Sequence, residues 1–421
     1  MNRSPDGPLL TDRPAAGVPA QLAALMGQGT SAIDTPALVI DLDAMERNLA
    51  RMAAFARSHG LRLRAHAKMH KSAALARLQM QHGAIGVCVQ KTTEAEAMAD
   101  GGVTDIYISN QVVAPLKLRR VAALAQRLRD AGGRLAIAVD SLEGIERLAA
   151  AMAAHWQDHG LTAATRDAEG DAAPTPIDVF IEIDVGQGRC GVPPGAAAVA
   201  LAKAIGAHRS LRFAGLQAYH GRAQHLRPAV ERRDAIRQAA QQVSETRSAL
   251  ESAGIAVPLV TGAGTGTFAL EAASGVWGEL QAGSYLFMDA DYARNERDPA
   301  QPAFEHALFV KSQVISTGAD RAVVDAGHKS HAIDSGLPEV LRPPGQPALV
   351  YANGGDEHGI LRPAAAPGAA TLPAIGETVW LIPGHCDPTV NLHDWMIGVR
   401  GGLEAGHVEQ IIRVDARGAL G

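Results

Sequence analysis

The feature that most constrains this chain is a regular alternation of short apolar runs with longer segments of helical periodicity, which begins at residue 37. Nine apolar runs are typical of β-strands: residues 37–43, 61–68, 84–90, 105–110, 134–140, 178–185, 213–219, 257–263 and 279–287. In the first segment between them, Met45, Leu49 and Met52 recur at helical spacing. Repeated strand–helix units predict a parallel sheet with helices outside, and eight strands would close a (β/α)8 barrel of roughly 250 residues. Nine candidates are therefore one too many.

The pattern changes after about residue 290. A polar stretch with two prolines, DYARNERDPAQP (291–302), is typical of a loop or linker, and β-branched runs separated by glycine and proline follow it. These include HALFVKSQVIS (306–316), ETVWLIP (377–383) and WMIGVRGG (395–402). The C-terminal part is therefore predicted to be a mainly β domain. Residues 160–176, rich in Ala, Pro and Asp, are predicted to be a surface insertion.

Composition excludes several classes of protein. Of the 421 residues, 47% are hydrophobic and 20% are charged, so the chain can bury a sizeable core and is neither disordered nor collagen-like. The net charge of −5, with Lys and Arg dispersed, gives no basic surface for nucleic acid or an anionic membrane. Three scattered cysteines do not make a disulfide framework, and the first thirty residues hold neither a signal peptide nor a membrane span. We expect a soluble cytoplasmic protein with a loose N-terminal extension.

Polar side chains stand at the carboxyl ends of most predicted strands, where a barrel of this kind carries its functional groups. They are Lys68, Gln90, Asn110, Asp140, Asp184 with Arg189, Tyr219 with His220, Thr261 to Thr267, and Tyr285. This edge of the barrel is the predicted functional site.

Lys68 is the candidate nucleophile. A lysine at a strand end can form a Schiff base if burial or the neighbouring Arg64 lowers its pKa enough to free the amine; the alternative is a solvated lysine. His66 and His70 have the spacing of two metal ligands on one face of a helix. His66 falls inside a predicted strand, however, so this spacing does not favour a metal pair.

Two glycine-rich turns are candidates for binding a phosphate. GAGTGT (262–267) follows an apolar run and offers backbone N–H groups without bulky side chains, as a phosphate monoester requires. GSY (283–285) repeats this chemistry at the next strand end. The alternative interpretation of either segment is an ordinary tight turn.

The segment PGHCDPTVN (383–391) is a candidate metal site in the β domain. In an extended chain, residues two apart point to the same side, so His385 and Asp387 would converge and Cys386 would point away. An imidazole with a carboxylate suits Mn²⁺, Mg²⁺ or Zn²⁺, although an ordinary polar turn explains the segment equally well. A second acidic and histidine cluster, GGDEHG (354–359), is predicted to be a turn or a support for the site.

Taken together, these segments resemble the fold-type III pyridoxal-phosphate enzymes of the D-threonine aldolase and 3-hydroxy-D-aspartate aldolase group, relatives of alanine racemase and D-serine dehydratase. The resemblance runs in order from about residue 34 to residue 400. It is carried by DTPALVIDLDAMERN, RAHAKMHKS, GVCVQKTTEAE, DIYISNQVV, EIDVGQGRCGV, LQAYHG, GAGTGT, ELQAGSYLFMDADY, DEHG and PGHCDPTVNLHDW.

The resemblance implies a particular division of the chain. Residues 1–33 would be the N-terminal extension, residues 44–288 a pyridoxal-phosphate-binding (β/α)8 barrel of the alanine racemase kind, and residues 34–43 with 289–421 the mainly β domain. The first strand would thus join the β domain, which accounts for the surplus strand.

The same resemblance implies site residues. Lys68 would carry pyridoxal 5′-phosphate as a Schiff base, Arg189 would face its ring and Tyr219 would lie close to it. His385 and Asp387 would bind the divalent metal, with Mn²⁺ or Mg²⁺ ahead of Zn²⁺, and His220 would be the general base. The remaining residues that would hold the cofactor are Gln90, Thr265, Gly266, Gly283, Ser284 and Tyr292.

This chemistry is a retro-aldol cleavage. The cofactor would store the electrons released when the Cα–Cβ bond breaks, a metal beside the β-hydroxyl would lower its pKa, and His220 would accept its proton. Protonation of the resulting carbanion at Cα would then release glycine together with the aldehyde. D-serine dehydratases of this group carry a zinc-binding H-x-C, whereas Asp387 stands two residues after His385, which favours an aldolase. A racemase, a pyridoxal-phosphate carrier protein and a metal hydrolase without the cofactor are the remaining alternatives.

The substrate is the open question within this group. LQAYHG with His220 resembles the D-threonine aldolases, whereas KMHKS and NLHDWMIGVRGG are closer to the 3-hydroxy-D-aspartate aldolases. A β-carboxylate would need a cationic partner, for which Arg222 and His331 are candidates. We predict a D-threonine-type enzyme with small-molecule substrates and no nucleic-acid or membrane partner. The resemblance also implies a homodimer.

Overall fold

The computed structural model describes residues 17–161, 175–364 and 371–421. Residues 1–16 of the predicted extension and residues 162–174 of the predicted surface insertion lie outside these ranges. The described part of the extension is packed and not loose. It forms helix α1 (Ala20–Ala23). After this helix, the backbone of Val408 makes two hydrogen bonds of 2.8 Å: its carbonyl accepts from the N–H of Gly27, and its N–H donates to the carbonyl of Gln28.

A closed barrel of eight parallel strands is present, which confirms the predicted fold class. Its strands, numbered after β1 (Ala37–Asp41), are β2 (Arg62–His66), β3 (Gly86–Val89), β4 (Asp105–Ile108), β5 (Arg134–Val139), β6 (Ile177–Glu182), β7 (Leu211–Ala218), β8 (Val260–Gly262) and β9 (Glu279–Leu280). β9 pairs with β2 and closes the barrel. β8 and β9 are shorter than predicted, because the chain leaves the barrel at Ala263, which has a left-handed φ of 69°, and at the turn around Gly283.

Helices follow the strands and cover the barrel. They are α2 (Leu42–Ser58), α3 (Ala73–Gln81), α4 (Thr92–Asp100), α5 (Pro115–Asp130), α6 (Leu142–Asp158), α7 (Ala196–Ala207), α8 (Ala229–Ser252) and α9 (Phe268–Ser274). In α2 the predicted apolar residues Met45, Leu49 and Met52 are buried. Asp41 begins this helix, because its side chain accepts a hydrogen bond of 3.0 Å from the N–H of Ala44.

The C-terminal part is a mainly β domain, also as predicted. It contains α10 (Ala290–Ala293), β10 (Leu308–Thr317), β11 (Ala322–Val324), β12 (Glu339–Val340), β13 (Leu349–Asn353), β14 (Gly359–Pro363), β15 (Thr378–Ile382), α11 (Cys386–Val390), β16 (Trp395–Arg400) and β17 (His407–Arg413). The main path of its sheet runs β13-β14-β11-β10-β1-β16-β17, while β15 pairs with β10 and β12. β1 therefore lies in this sheet, antiparallel to β10 and parallel to β16, and not in the barrel.

Within the three described ranges, no helix is long and apolar enough to cross a membrane.

A charged cluster fills the amino end of the barrel, opposite the predicted site. The guanidinium of Arg64 on β2 contacts the carboxylates of Asp105 and Glu279, the first residues of β4 and β9. Arg64 Nε lies 3.1 Å from Glu279 Oε1, which also accepts a hydrogen bond of 2.8 Å from the hydroxyl of Thr261. All three charged groups are largely buried, so Glu279 depends on Arg64 for its counter-charge.

Replacing Arg64 with methionine should leave Glu279 buried without a counter-charge. We expect Arg64→Met to lower the free energy of unfolding by about 3–5 kcal/mol, measured by denaturant titration. Arg47→Met is the matched control, since the Arg47–Glu305 pair lies on the surface with side chains 51% and 37% exposed and should contribute less than about 1 kcal/mol. Equal losses from the two variants would contradict this role for Arg64.

Candidate active site

A cavity of about 330 Å³ opens at the carboxyl end of the barrel. Many of its lining residues follow the ends of barrel strands, where a barrel collects its functional groups. Of the twelve residues to which the resemblance gives a role, eight line it: Lys68, Gln90, Arg189, Tyr219, Thr265, Gly283, Ser284 and Tyr292. Asn110, also predicted at this edge of the barrel, lines it too. The cavity also has lining residues that the sequence analysis did not select as site residues, among them His66, Lys91, Ser109, Gln217 and Gln281.

The other four of these twelve residues do not line this cavity. Gly266 lies on a second cavity of about 200 Å³, which shares Thr265 and Tyr292 with the first. His385 and Asp387 come from the β domain and reach the site through contacts with lining residues. His220 follows Tyr219 on the loop after β7.

Lys68 stands just beyond β2, in a one-turn 3-10 helix (Ala67–Met69), and not at the end of the strand itself. Its Nζ lies 3.1 Å from Asp387 Oδ2. The carboxylate of Asp387 raises the pKa of Lys68 above its usual value, against the effect of burial. The expected lowering by Arg64 is wrong, because Arg64 is paired with Glu279 and Asp105 at the other end of the barrel.

His385 and Asp387 converge, but not through the extended backbone that we predicted. His385 is extended, with φ −143° and ψ 135°, whereas Asp387 lies in the first turn of α11. His385 Nε2 is 3.6 Å from Asp387 Oδ1, and this oxygen has no hydrogen-bond partner in the described part of the chain. Burial would raise the pKa of Asp387, but Lys68 and His385 hold it well below its usual range.

Asp289 orients His385, and the sequence analysis missed it. This fully buried carboxylate accepts hydrogen bonds from His385 Nδ1 at 2.7 Å, from the N–H of Cys386 at 3.1 Å and from the N–H of Tyr292 at 3.0 Å. Burial lowers the pKa of His385, but Asp387 and Asp289 outweigh it and raise the pKa to about 9. The segment DADY carried no signal for this contact, because its partner lies 96 residues away in the chain.

An imidazole and a carboxylate fit a divalent cation, which would displace the proton that the raised pKa of His385 leaves on Nε2. Asp289 holds the Nδ1 of His385, which leaves Nε2 for a metal, as is usual for metal-binding histidines. Residues 17–161, 175–364 and 371–421 contain no group of three or more His, Cys, Asp or Glu side chains arranged for a metal. A cation bound by His385 and Asp387 would have further positions for water or substrate.

His66 lies at the cavity as a neutral hydrogen-bonding group. Its Nε2 lies 2.9 Å from the amide nitrogen of Gln90 and 3.3 Å from the hydroxyl of Ser109. Burial, and then Lys68, lower the pKa of His66 well below its usual value. His70 is separate, since its ring bonds Gln79 and the N–H of Ser72 and burial lowers its pKa to about 4. The two histidines thus have different partners and do not form a metal pair.

The glycine-rich turns supply free backbone donors. The N–H groups of Gly264, Thr265, Gly283 and Ser284 make no hydrogen bond to any residue in the described ranges, and all four residues line the cavity. The N–H of Gly266 differs, because it donates to Gln224 Oε1 at 2.9 Å. These donors fit a phosphate monoester, and the amine of Lys68 on the same cavity fits an aldehyde, so the residues present suit pyridoxal phosphate.

Arg189 and Tyr219 lie together on the cavity, with Arg189 Cζ 5.9 Å from the centre of the Tyr219 ring. Burial raises the pKa of Tyr219, so its hydroxyl stays protonated. This pair gives the cavity a cationic group and an aromatic surface beside Lys68.

His220 is held close to Gly186, where a Cβ atom would lie 2.5 Å from His220 Nε2. Its Nδ1 is buried and has no hydrogen-bond partner in the described ranges. Burial lowers the pKa of His220, while Asp184 raises it and Arg222 lowers it further. A neutral imidazole is what a general base requires.

Several other polar residues serve the fold. Asp184 accepts the N–H groups of Gly186 and Gly188, Asp140 accepts that of Gly191, and the hydroxyl of Tyr285 accepts from Gln79. The GGDEHG cluster is the turn between β13 and β14, as predicted, with Asp356 Oδ1 2.8 Å from His328 Nε2.

The comparisons with known proteins agree with this architecture. The family model for the alanine racemase N-terminal domain matches residues 40–291, and the model for a putative serine dehydratase domain matches residues 307–399.

Relatives that match more than nine-tenths of this chain include proteins named as aldolases. A 3-hydroxy-D-aspartate aldolase of Paracoccus denitrificans is 41% identical over 403 residues, which cover 94% of this chain and 95% of the relative. A D-threonine aldolase of an Arthrobacter species is 43% identical over 393 residues, covering 93% and 95%. The crystal structure of D-threonine aldolase from Filomicrobium marinum matches with a TM-score of 0.84 and 46% identity, covering 94% of this chain and 99% of that one.

Glu271, beneath the glycine-rich turn, should make stability depend on pH. Burial raises the pKa of this carboxyl to about 7. Its contribution to stability is complete below the ordinary value of about 4.5 and is lost as the pH rises through 7. The free energy of unfolding of Glu271→Gln, relative to that of the parent, should therefore rise by up to about 3 kcal/mol between pH 5 and pH 8, measured by denaturant titration at both pH values. Glu251→Gln, an exchange at an exposed site, controls for net charge. A difference that does not vary with pH would contradict the raised pKa.

Proposed function

This chain belongs to the alanine racemase-like family that contains 3-hydroxy-D-aspartate aldolase and D-threonine aldolase, and on that premise we propose that it is a lyase that cleaves D-3-hydroxy-α-amino acids between Cα and Cβ. The products are glycine and an aldehyde, and D-threonine-type substrates are the proposed class. The observation that carries the proposal is the contact of 3.1 Å between Lys68 Nζ and Asp387 Oδ2, since it joins the candidate metal ligand to the candidate cofactor amine, which lines the cavity.

The cofactor we propose is pyridoxal 5′-phosphate, bound through Lys68. When bound, it supplies an electron sink for the electron pair released as a bond to Cα breaks. The free N–H groups of the turns at 264–265 and 283–284 would bind its phosphate, and Gln90, Tyr219 and Tyr292 would enclose it. Arg189 would face the ring nitrogen; as a permanent cation, it cannot stabilise a proton there.

The role of the β domain is to help remove the proton of the substrate β-hydroxyl. His385 and Asp387 would bind a divalent cation, with Mn²⁺ or Mg²⁺ ahead of Zn²⁺, which would supply a Lewis acid to lower the pKa of a hydroxyl beside it. We assign the proton to His220 Nε2, because Nδ1 is buried and the low pKa of this imidazole keeps it neutral. A side chain at Gly186 would block that nitrogen.

Cleavage of 3-hydroxy-D-aspartate is the alternative function, favoured by the relative of that name. Its β-carboxylate needs a cation, and of the two candidates His331 is unsuitable. This histidine is fully buried, its Nε2 lies 3.0 Å from the hydroxyl of Tyr351, and burial lowers its pKa. Arg222 remains, exposed and close to Gly188.

We further propose a cytoplasmic homodimer. All three cysteines are free, and Cys88 and Cys386 are buried, which suits a reducing compartment. Three apolar side chains beyond β4 and β5 are 48%, 69% and 55% exposed: Val113 on the loop before α5, Leu116 in the first turn of α5 and Leu142 at the start of α6. Such side chains support a contact between subunits at the rim of the barrel.

Product analysis tests the proposed reaction. Incubated with pyridoxal phosphate and Mn²⁺, the enzyme should release glycine and an aldehyde from D-threonine but not from L-threonine, and 3-hydroxy-D-aspartate should react more slowly. Lys68→Ala should lose activity on the order of 10³-fold or more, while Lys203→Ala, at an exposed position of α7, should not. Ammonia with a 2-oxo acid as the main products would instead identify a dehydratase.

Removing Asp289 tests the metal site without relying on activity. Asp289→Asn keeps the shape but weakens the orientation of His385, so we expect Mn²⁺ affinity to fall about 10–100-fold, measured by equilibrium dialysis. Asp356→Asn is the matched control, because it alters a surface Asp–His pair in the same domain. Metal binding that is equal in parent and both variants would show that His385 is not a ligand.

A further inference from the structure

Gln224 connects the glycine-rich turn at 262–267 to the loop that carries His220. The proposed function gives this residue no role. The side chain is completely buried. Its Oε1 accepts the N–H of Gly266 at 2.9 Å, and its Nε2 donates to the hydroxyl of Thr267 at 2.7 Å and to the carbonyl of His220 at 3.2 Å. One amide thus holds two segments that lie more than 40 residues apart in the chain.

The chain of hydrogen bonds continues to a buried carboxyl. The hydroxyl of Thr267 donates to Glu271 Oε1 at 2.7 Å, and Glu271 Oε2 has no partner in the described ranges. Thr267 and Glu271 are each 1% exposed. All the bonds run in one direction, from the N–H of Gly266 through Gln224 and Thr267 to Glu271. Such an array strengthens each of its members in a low-dielectric interior.

The glycines of the turn are explained by this contact. A Cβ atom at Gly264 would lie 2.5 Å from Gln224 Oε1, and one at Gly266 would lie 2.5 Å from the Gln224 carbonyl oxygen. The side-chain amide of Asn295 donates to that carbonyl at 2.8 Å and fixes the Gln224 backbone. The turn is therefore packed directly on Gln224, and its conformation follows from that side chain.

We propose that Gln224, Thr267 and Glu271 are positioning residues that aim the free N–H groups of Gly264 and Thr265 at a bound phosphate monoester. The ligand named here rests on the proposed function; the array of hydrogen bonds does not. Because Gln224 also bonds the carbonyl of His220, the same array keeps the phosphate-binding turn and the proposed base at a constant separation.

The test removes one hydroxyl from the array. Thr267→Val keeps the volume but loses both hydrogen bonds, whereas Thr267→Ser keeps the hydroxyl. Pyridoxal phosphate affinity, measured by absorbance titration, should fall on the order of tenfold in Thr267→Val and should recover in Thr267→Ser. Gln224→Met, which also loses the contact with Gly266, should bind at least as weakly as Thr267→Val.

Thr246→Val is the matched control. Thr246 on α8 is completely buried, and its hydroxyl likewise accepts one hydrogen bond, from Gly195, and donates another, to Gln242. Its variant should lose stability but keep the affinity of the parent. Unchanged affinity in Thr267→Val, or equal losses in Thr267→Val and Thr267→Ser, would overturn the proposal.

Measuring the affinity for inorganic phosphate distinguishes a failure of this proposal from a failure of the proposed function. A parent protein that binds phosphate but not pyridoxal phosphate would contradict the cofactor assignment, and the effect of Thr267→Val on phosphate affinity would still decide the role of the array. A parent that binds neither ligand would overturn both.

Discussion

The insertion of β1 between β10 and β16 is the constraint on which the site depends. This strand precedes the barrel in sequence, yet it pairs with two strands that follow the barrel. The segments before and after the barrel are therefore held in a single sheet. The β domain is thereby fixed against the carboxyl end of the barrel. Its segment 385–387 reaches Lys68 as a result, and Asp289, on the segment that leaves the barrel, bonds His385.

Opposite charges then organise the site. Lys68 and Asp387 come from different parts of the fold, and each shifts the pKa of the other towards its charged form. Asp289 adds a second carboxylate behind His385. Among the described residues, the cavity itself is lined by the cations Lys68, Lys91 and Arg189 and by no acidic side chain. An anionic cofactor and an amino-acid carboxylate match such a lining.

The sequence predicts the fold well, because strand and helix periodicities are local properties that the barrel and the sheet retain. Lys68 and the glycine-rich turns are also predictable, since they follow apolar runs in order. Asp289, His66 and Gln224 are not, because each acts through a partner that is distant in sequence, such as His385 for Asp289. The predicted extended geometry of His385 and Asp387 is wrong for a related reason. The chain turns into α11 after His385, and only tertiary packing fixes that turn.

A crystal structure of the enzyme with pyridoxal phosphate and Mn²⁺ is the most direct test of how barrel and β domain share the site. The cofactor should be joined to Lys68 Nζ, with phosphate oxygens within hydrogen-bond distance of the N–H groups of Gly264, Thr265, Gly283 and Ser284. The cation should contact His385 Nε2 and Asp387. A cofactor bound elsewhere, or a Lys68 that stays paired with Asp387 while the cofactor is present, would contradict this assignment.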